Sequence, residues 1–477
     1  MSATPEGTRR LAVLARSELF LAVVVSCAAG LVALLASRQL GSVGLLAPLL
    51  VVLVVLLLRQ PAAMVAFVTV LVVLCEGPTF GLLTFTSKLY ENIYHDLTMV
   101  DVLVALTALS VGLDALRAGR PLRVPRPLRI PLLLVALAMV VGFLVGHASG
   151  GSLRFVLASE SVLGYILVLP VAVANLDLSR VQVQRLLGAV VALAIVKAVL
   201  GLAEIAGGQG QTVERGVTIT YYEPLANWLI MLSLLAILAL VLAKARLPLW
   251  TWAGAPLLLV SLILSYRRSF WIAFGLGLLL VLLLGLSPLG RRLLLPTAVL
   301  ALAAVLLLGS THFQSQLPVA KRAISLQPSR IEANAEDRYR LDERVNVLGE
   351  IREHPITGLG MTIPWAASFR SLPVEHEGGR GYVHFAALWY WLKLGILGLL
   401  AYVGLLIASL VLSWRVWRSS REPYLRAFGL ASLCGIVGLA VIETTASFTG
   451  VDMRFTLLFG VQLGLLGLLD RTAPHRG

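Results

Sequence analysis

The sequence predicts an all-α polytopic membrane protein of about 12–14 transmembrane helices with one large external loop, and three observations carry that expectation. Of its 477 residues, 58% are hydrophobic and 13% are charged, where a soluble chain carries about a quarter charged residues. Mean hydropathy is +0.90. The apolar residues also gather into runs close to the length a bilayer demands, about 17–25 residues per helix.

Taken in order, the chain opens with MSATPEGTRRLAVLAR, a basic stretch ahead of an apolar run. Further apolar runs follow directly, so this start is read as a first spanning helix rather than a cleaved signal. Fourteen candidate spans lie near residues 19–37, 43–58, 61–75, 98–114, 130–148, 155–175, 186–206, 224–243, 252–266, 270–287, 294–309, 384–412, 427–446 and 453–469. Only Arg59, Gln60 and Pro61 divide the second from the third, which leaves a count of twelve open. A single integral domain over 1–477 is the economical reading, since no repeat, heptad or low-complexity tail interrupts the pattern.

Basic loops orient the spans. Short loops rich in Lys and Arg stay in the cytoplasm. With the N-terminus inside, the stretch Arg117–Arg129, the Lys244 and Arg246 loop, the Arg291 and Arg292 pair, the stretch Trp414–Arg426 and the C-terminus all fall inside. The net charge of +14 is therefore spread as a topology signal rather than gathered into a stripe, which speaks against a nucleic-acid partner.

On the outer face this leaves the connection Gly207–Glu223, the Arg267 and Arg268 pair, and a large loop over 310–383. From Gly309 to Val383 there are nine basic and nine acidic residues. Within it, Leu341, Val345, Leu348 and Ile351 recur at helical spacing, which predicts an amphipathic helix over Asp337–Glu353 lying with its apolar side on the membrane body. His354 and Pro355 end that helix, and Gly358 and Gly360 supply turn material.

Charges near the membrane need a partner or a cavity. Arg215, Arg267, Arg268 and Arg344 all fall on the outer side, where guanidinium forks suit a phosphate or diphosphate; lipid headgroups are the other fit for the Arg267 and Arg268 pair. His384 stands at the mouth of a long apolar helix. An imidazole there can accept a proton from a hydroxyl near neutral pH, or simply bond a loop carbonyl. Glu160 is expected to pair with Arg154 or Lys197, and Glu204 and Glu443 to line a cavity. Cys27, Cys75 and Cys434 sit in or beside apolar runs far apart, as packing residues. No residues have metal-ligand spacing, and no phosphate-cradling glycine loop is present, so neither a metal nor a nucleotide cofactor is expected.

Four segments in order, RGVTITYYEPLANWLIML, YRRSFWIAFGLGLLL, REHPITGLGMTIPW and VHFAALWYWLKLGILGLL, make the chain resemble the O-antigen ligase and O-antigen polymerase superfamily over roughly Gly207–Leu412. Matched residue by residue, the family's external arginines fall on Arg215 and Arg268, its loop histidine on His384 and its helix-start asparagine on Asn227. Arg344 is a softer match near the start of the loop helix. Two departures stand out: Phe385 follows His384 where asparagine is usual, and Arg267 stands where serine is common.

The resemblance implies a metal-independent glycosyltransferase similar to the GT-C type. It would act on the outer face of the cytoplasmic membrane, with a polyprenyl-diphosphate-linked glycan as donor and a lipid-linked or other glycan as acceptor. Catalytic roles would fall to His384, Arg268 and Arg215, and substrate contacts to Arg267, Arg344, Asn227 and Arg380. A transporter or flippase for a lipid-linked precursor is the alternative; such proteins show internal repeats and midplane broken helices, which this sequence does not display.

Overall fold

The computed structural model describes residues 54–75, 89–94, 97–208, 211–213, 217–221, 223–285, 292, 335–372 and 379–472. They form an all-α membrane protein with almost no strand. The helices are α1 (Pro61–Leu74), α2 (Met99–Arg117), α3 (Arg129–Ala148), α4 (Leu153–Ala174), α5 (Arg180–Ala206), α6 (Pro224–Leu242), α7 (Leu249–Ile263), α8 (Arg268–Leu284), α9 (Ala335–Glu353), α10 (Ala386–Ser419), α11 (Pro423–Ile442) and α12 (Met453–Thr472). Among the described residues, seven are long and apolar enough to cross a membrane: α2, α3 with the turn before it, α5, α6, α10, α11 and α12. The expected spans at 19–37 and 294–309 lie outside the described residues, as does most of 43–58.

Helix starts follow local chemistry. Pro61, Pro224 and Pro423 each occupy a first helical position, where proline's missing N–H costs nothing. Ser179 caps α5 reciprocally: its hydroxyl accepts from Gln182 N at 3.3 Å while Gln182 Oε1 accepts from Ser179 N at 2.9 Å, which satisfies two orphan donors.

The chain divides into two compact units, 1–66 with 106–121, and 67–105 with 122–477. In the first, Ser110 Oγ donates to Leu58 O at 3.0 Å and Arg120 pairs with Asp114 at 2.7 Å. In the second, α12 packs along α4, α10 lies between α3 and α11, and α11 also packs on α8 and α6. Two short antiparallel hairpins occur, Asn92–Tyr94 with Leu97–Thr98, and Gln211–Val213 with Val217–Ile219. The second lies in the connection between α5 and α6, a feature the polar sequence did not announce.

Helix α10 runs 34 residues and breaks at Gly395, whose φ is 69°. The break is filled by backbone from the loop. Ile396 N donates to Ile356 O at 3.1 Å and Leu359 N donates to Leu392 O at 2.7 Å. A Cβ at Gly395 would lie 2.0 Å from Ile356 O, and one at Gly358, also left-handed at φ 68°, would lie 2.5 Å from Leu392 O. Only glycine fits either place, so the HPITG segment and the LGILG segment are two halves of one main-chain joint.

Helix α9 corrects the sequence expectation. Leu341, Val345 and Leu348 are exposed, while Tyr339, Asp342, Glu343, Asn346 and Glu350 are buried together with Val347 and Ile351. The helix turns a largely polar face inward because that face is satisfied there. Asn346 Oδ1 accepts from Phe369 N and Arg370 N, both at 2.8 Å, Asp342 accepts from Arg370 at 3.1 Å, and Glu350 accepts from Ala366 N at 3.1 Å. Buried polar groups are tolerable when bonded in this way.

Candidate active site

The site assembles where α8, α10 and α12 begin and α7 and α11 end. A tight turn joins α7 to α8. Tyr266 is left-handed at φ 53°, Ser265 Oγ donates to Leu262 O at 2.7 Å, and Trp271 Nε1 donates to Leu262 O at 3.0 Å. This turn fixes Arg267 and Arg268 side by side. The end of the second hairpin docks on it, Thr220 N donating to Leu264 O at 3.1 Å and its hydroxyl to Ser261 O at 2.9 Å. Arg268 reaches Asp337 of α9, with contacts of 2.9 and 3.1 Å to its two oxygens. Arg267 lies 5.7 Å over the Phe448 ring.

The inward face of α9 meets His384 directly before α10. Glu343, with a side chain 1% exposed, accepts from His384 N at 2.9 Å and contacts Nδ1 at 3.1 and 3.2 Å. A carboxylate only accepts, so Nδ1 is the nitrogen that donates to Glu343, and Nε2 is the ring nitrogen turned away from that pair. Two phenol rings clamp the imidazole edge-on: Tyr382 with centroids 4.9 Å apart and Tyr339 at 5.8 Å. Burial pushes the Tyr339 phenol up to about 12 and raises Tyr382 as well. Both phenols stay protonated near neutrality.

The turn 443–452 closes the site from below. Glu443 at the end of α11 accepts from Thr449 N at 2.7 Å and from the Tyr402 hydroxyl at 2.7 Å, and its carbonyl accepts from Ala386 N at 3.0 Å. Burial raises its carboxyl above the ordinary value. Tyr382 is tied to the same turn, its hydroxyl donating to Ser447 O at 3.2 Å and accepting from Ser447 N at 2.9 Å. Asp452 caps α12 by accepting from Phe455 N at 2.7 Å; burial raises its pKa while the Arg267 charge opposes that rise.

Arg344 explains one departure from the family pattern. It lies 5.2 Å over the ring of Phe385 and donates to Thr444 O. A cation over an aromatic face is stabilised by the ring quadrupole, so the phenylalanine at the helix cap holds an arginine where an asparagine would offer an amide.

The structure thus brings Arg267, Arg268, Arg344 and His384 together, with Arg380 acting on the Tyr339 phenol through its charge. Arg215 lies outside the described residues. Asn227 is buried one turn into α6, its amide donating to Tyr221 O at 3.0 Å and Glu223 O at 2.9 Å while Oδ1 has no partner. Nearby, Glu223 binds both Lys197, at 3.3 Å, and Arg454. Lys197 therefore has Glu223 as an ion-pair partner; the side chain of Glu160 lies outside the described residues. Glu443 turns out to brace a turn. Glu343, Asp337, Tyr339 and Tyr382 are not singled out by the sequence; the signal for Glu343 is the polar stripe of α9, which an amphipathic reading turns away from the body.

Among the described residues, no three His, Cys, Asp or Glu side chains group in a way that could hold a metal ion.

A membrane helix bundle whose polar segment before α10 carries a carboxylate-bound histidine beside paired arginines defines a class of polar site built on a bilayer scaffold. Residues 253–403 match the Wzy_C family model, described as O-Antigen ligase. This match, which spans α7 to the first half of α10 and contains Arg267, Arg268, Arg344, Arg380 and His384, supports membership of the O-antigen ligase and polymerase superfamily. No curated protein matches the chain.

Proposed function

We propose that the protein is a metal-independent glycosyltransferase of the ligase or polymerase type, acting on the outer face of the cytoplasmic membrane. Its donor is a polyprenyl-diphosphate-linked glycan and its acceptor a hydroxyl of a lipid-linked or other glycan. In the reaction the acceptor oxygen forms a bond to the anomeric carbon, the bond from that carbon to the diphosphate oxygen breaks, and the acceptor proton passes to His384 Nε2. Arg215, Arg267 and Arg268 hold the diphosphate and stabilise the charge it gains on leaving, a contribution that is large in a preorganised site with little water. Arg344, Arg380 and Asn227 complete the substrate contacts.

The observation that carries this reading is the His384 and Glu343 pair set beside Arg267 and Arg268 within a matched O-antigen ligase segment. Positioned general-base catalysis is worth about 10²–10⁴-fold. His384→Ala and Arg268→Ala, each verified to insert normally, are expected to reduce glycan transfer in a deletion strain by at least that lower figure; full surface glycan in both overturns the assignment. A collapse of the glycan ladder to one repeat marks a polymerase, and intact polymer left on its carrier marks a ligase. With both termini in the cytoplasm, a cysteine introduced at Glu377 reacts with an impermeant thiol reagent from outside; labelling only after lysis inverts the topology.

A further inference from the structure

At the opposite end of the same helices, away from His384, α5, α6, α7, α11 and α12 enclose a cavity of about 480 Å³. That volume lies within the range of ligand sites, about 300–1,000 Å³. Its walls are apolar, and Leu229, Ala236 and Leu240 of α6 mark its length. The eleven rises from Leu229 to Leu240, at about 1.5 Å each, give about 16 Å, close to half of a hydrocarbon core about 30 Å thick.

The mouth and floor differ in chemistry. Helices α5, α7 and α11 all begin at the mouth, where Arg185, Gln184, Trp250 and Tyr424 line the opening. Arg185 and Trp250 are exposed, the pairing of cation and indole that marks a headgroup layer. Arg180 opens α5, and Arg246 and Arg421 stand in the loops before α7 and α11, while Glu422 accepts from Gln184 at 3.4 Å. At the floor, Ser432 Oγ and Gln462 Nε2 are buried with no hydrogen-bond partner. Two such atoms suit a water, and they end the apolar wall at one leaflet's depth.

We infer that this cavity is a binding site for one acyl chain of an anionic phospholipid, whose phosphate sits against Arg185 while the chain fills the space between α5 and α6. The length of one leaflet excludes the whole tail of a long polyprenol, and the basic rim selects the headgroup sign. The site is separate from the transfer site and does not depend on the function proposed for it.

Gly188 gives the test. It lines the cavity, and a Cβ placed there meets no atom within 4 Å, so a side chain can start from this position without a clash and Gly188→Phe puts a ring at the cavity wall. In native mass spectra of protein purified in mild detergent, the wild type is expected to retain an anionic phospholipid and Gly188→Phe to lose it at least tenfold. After delipidation, phosphatidylglycerol raises the wild-type unfolding temperature and leaves that of Gly188→Phe unmoved. Arg185→Gln, an exposed change that does not depend on core packing, keeps a lipid but loses the preference for phosphatidylglycerol over phosphatidylethanolamine. Lipid retained equally by Gly188→Phe, an unchanged preference in Arg185→Gln, a polyprenyl species in the cavity, or a wild type that neither retains nor responds to phosphatidylglycerol overturns the inference.

Discussion

At the scale of single residues, Glu343 decides what His384 can do. Its carboxylate fixes the proton on Nδ1 and orients the ring from a position 1% exposed. Glu343→Gln presents an amide that can donate to Nδ1 instead, and in the proposed mechanism the wrong tautomer removes the base; in a hydrolytic triad the analogous change is worth about 10⁴-fold. For this protein kcat is expected to fall by about 10²-fold or more with KM held, and a change in KM alone would assign Glu343 to packing. Glu443 acts on stability. Its folded pKa lies above the ordinary 4.5 because of burial, so its contribution is fully present below 4.5 and is lost as pH rises through the raised value. Thermal unfolding across that window should lose stability with rising pH, and Glu443→Gln should flatten the slope. The arginines and the histidine were legible in the sequence because a charge beside an apolar run is conspicuous. Glu343 was not, since its role depends on which way α9 faces.

At the scale of elements, the joint between the loop and the broken helix α10 sets the position of His384, eleven residues before the break at Gly395. The spacing of HPITG and LGILG along the chain marked them as motifs, but their contact is a long-range backbone pairing that no local periodicity encodes. Gly395→Ala must adopt a positive φ with an extended ψ of −164°, a region essentially reserved for glycine that costs about 1–3 kcal/mol, and must also push Ile356 O aside. A lower unfolding temperature and loss of transfer together are expected; unchanged unfolding would show that the joint can open without cost. Among the described residues the helices were legible to within a few residues, closely for α3 against the predicted 130–148 and less so for α5, which starts six residues before its predicted span, and α10, which ends seven residues beyond its own, because twenty apolar residues in lipid admit few other structures.

At the scale of the whole molecule, membrane-protein logic places apolar faces outward to lipid and inward to neighbours alike, so hydropathy says how many helices there are and little about which touch. The packing of α12 on α4 and of α11 on α8 rests on small residues meeting neighbours; Gly464 lies where a Cβ would be 2.4 Å from the Val173 side chain, the close approach typical of membrane interfaces. The two ends of the bundle carry different chemistry. One gathers histidine, carboxylates and arginines around a polar loop, while the other holds an apolar cavity with a basic rim.

The reversed orientation of α9 changes how its sequence tolerates variation. Ranking substitutions by polarity, as one does for an amphipathic helix on a membrane, gives the wrong order here. Serine at Leu341, Val345 or Leu348 removes little that is buried, whereas leucine at Glu343 or Asn346 strips partners from His384 and from the 369–370 backbone. A library that varies α9 should therefore leave the charged stripe intact and spend its diversity on the oily one.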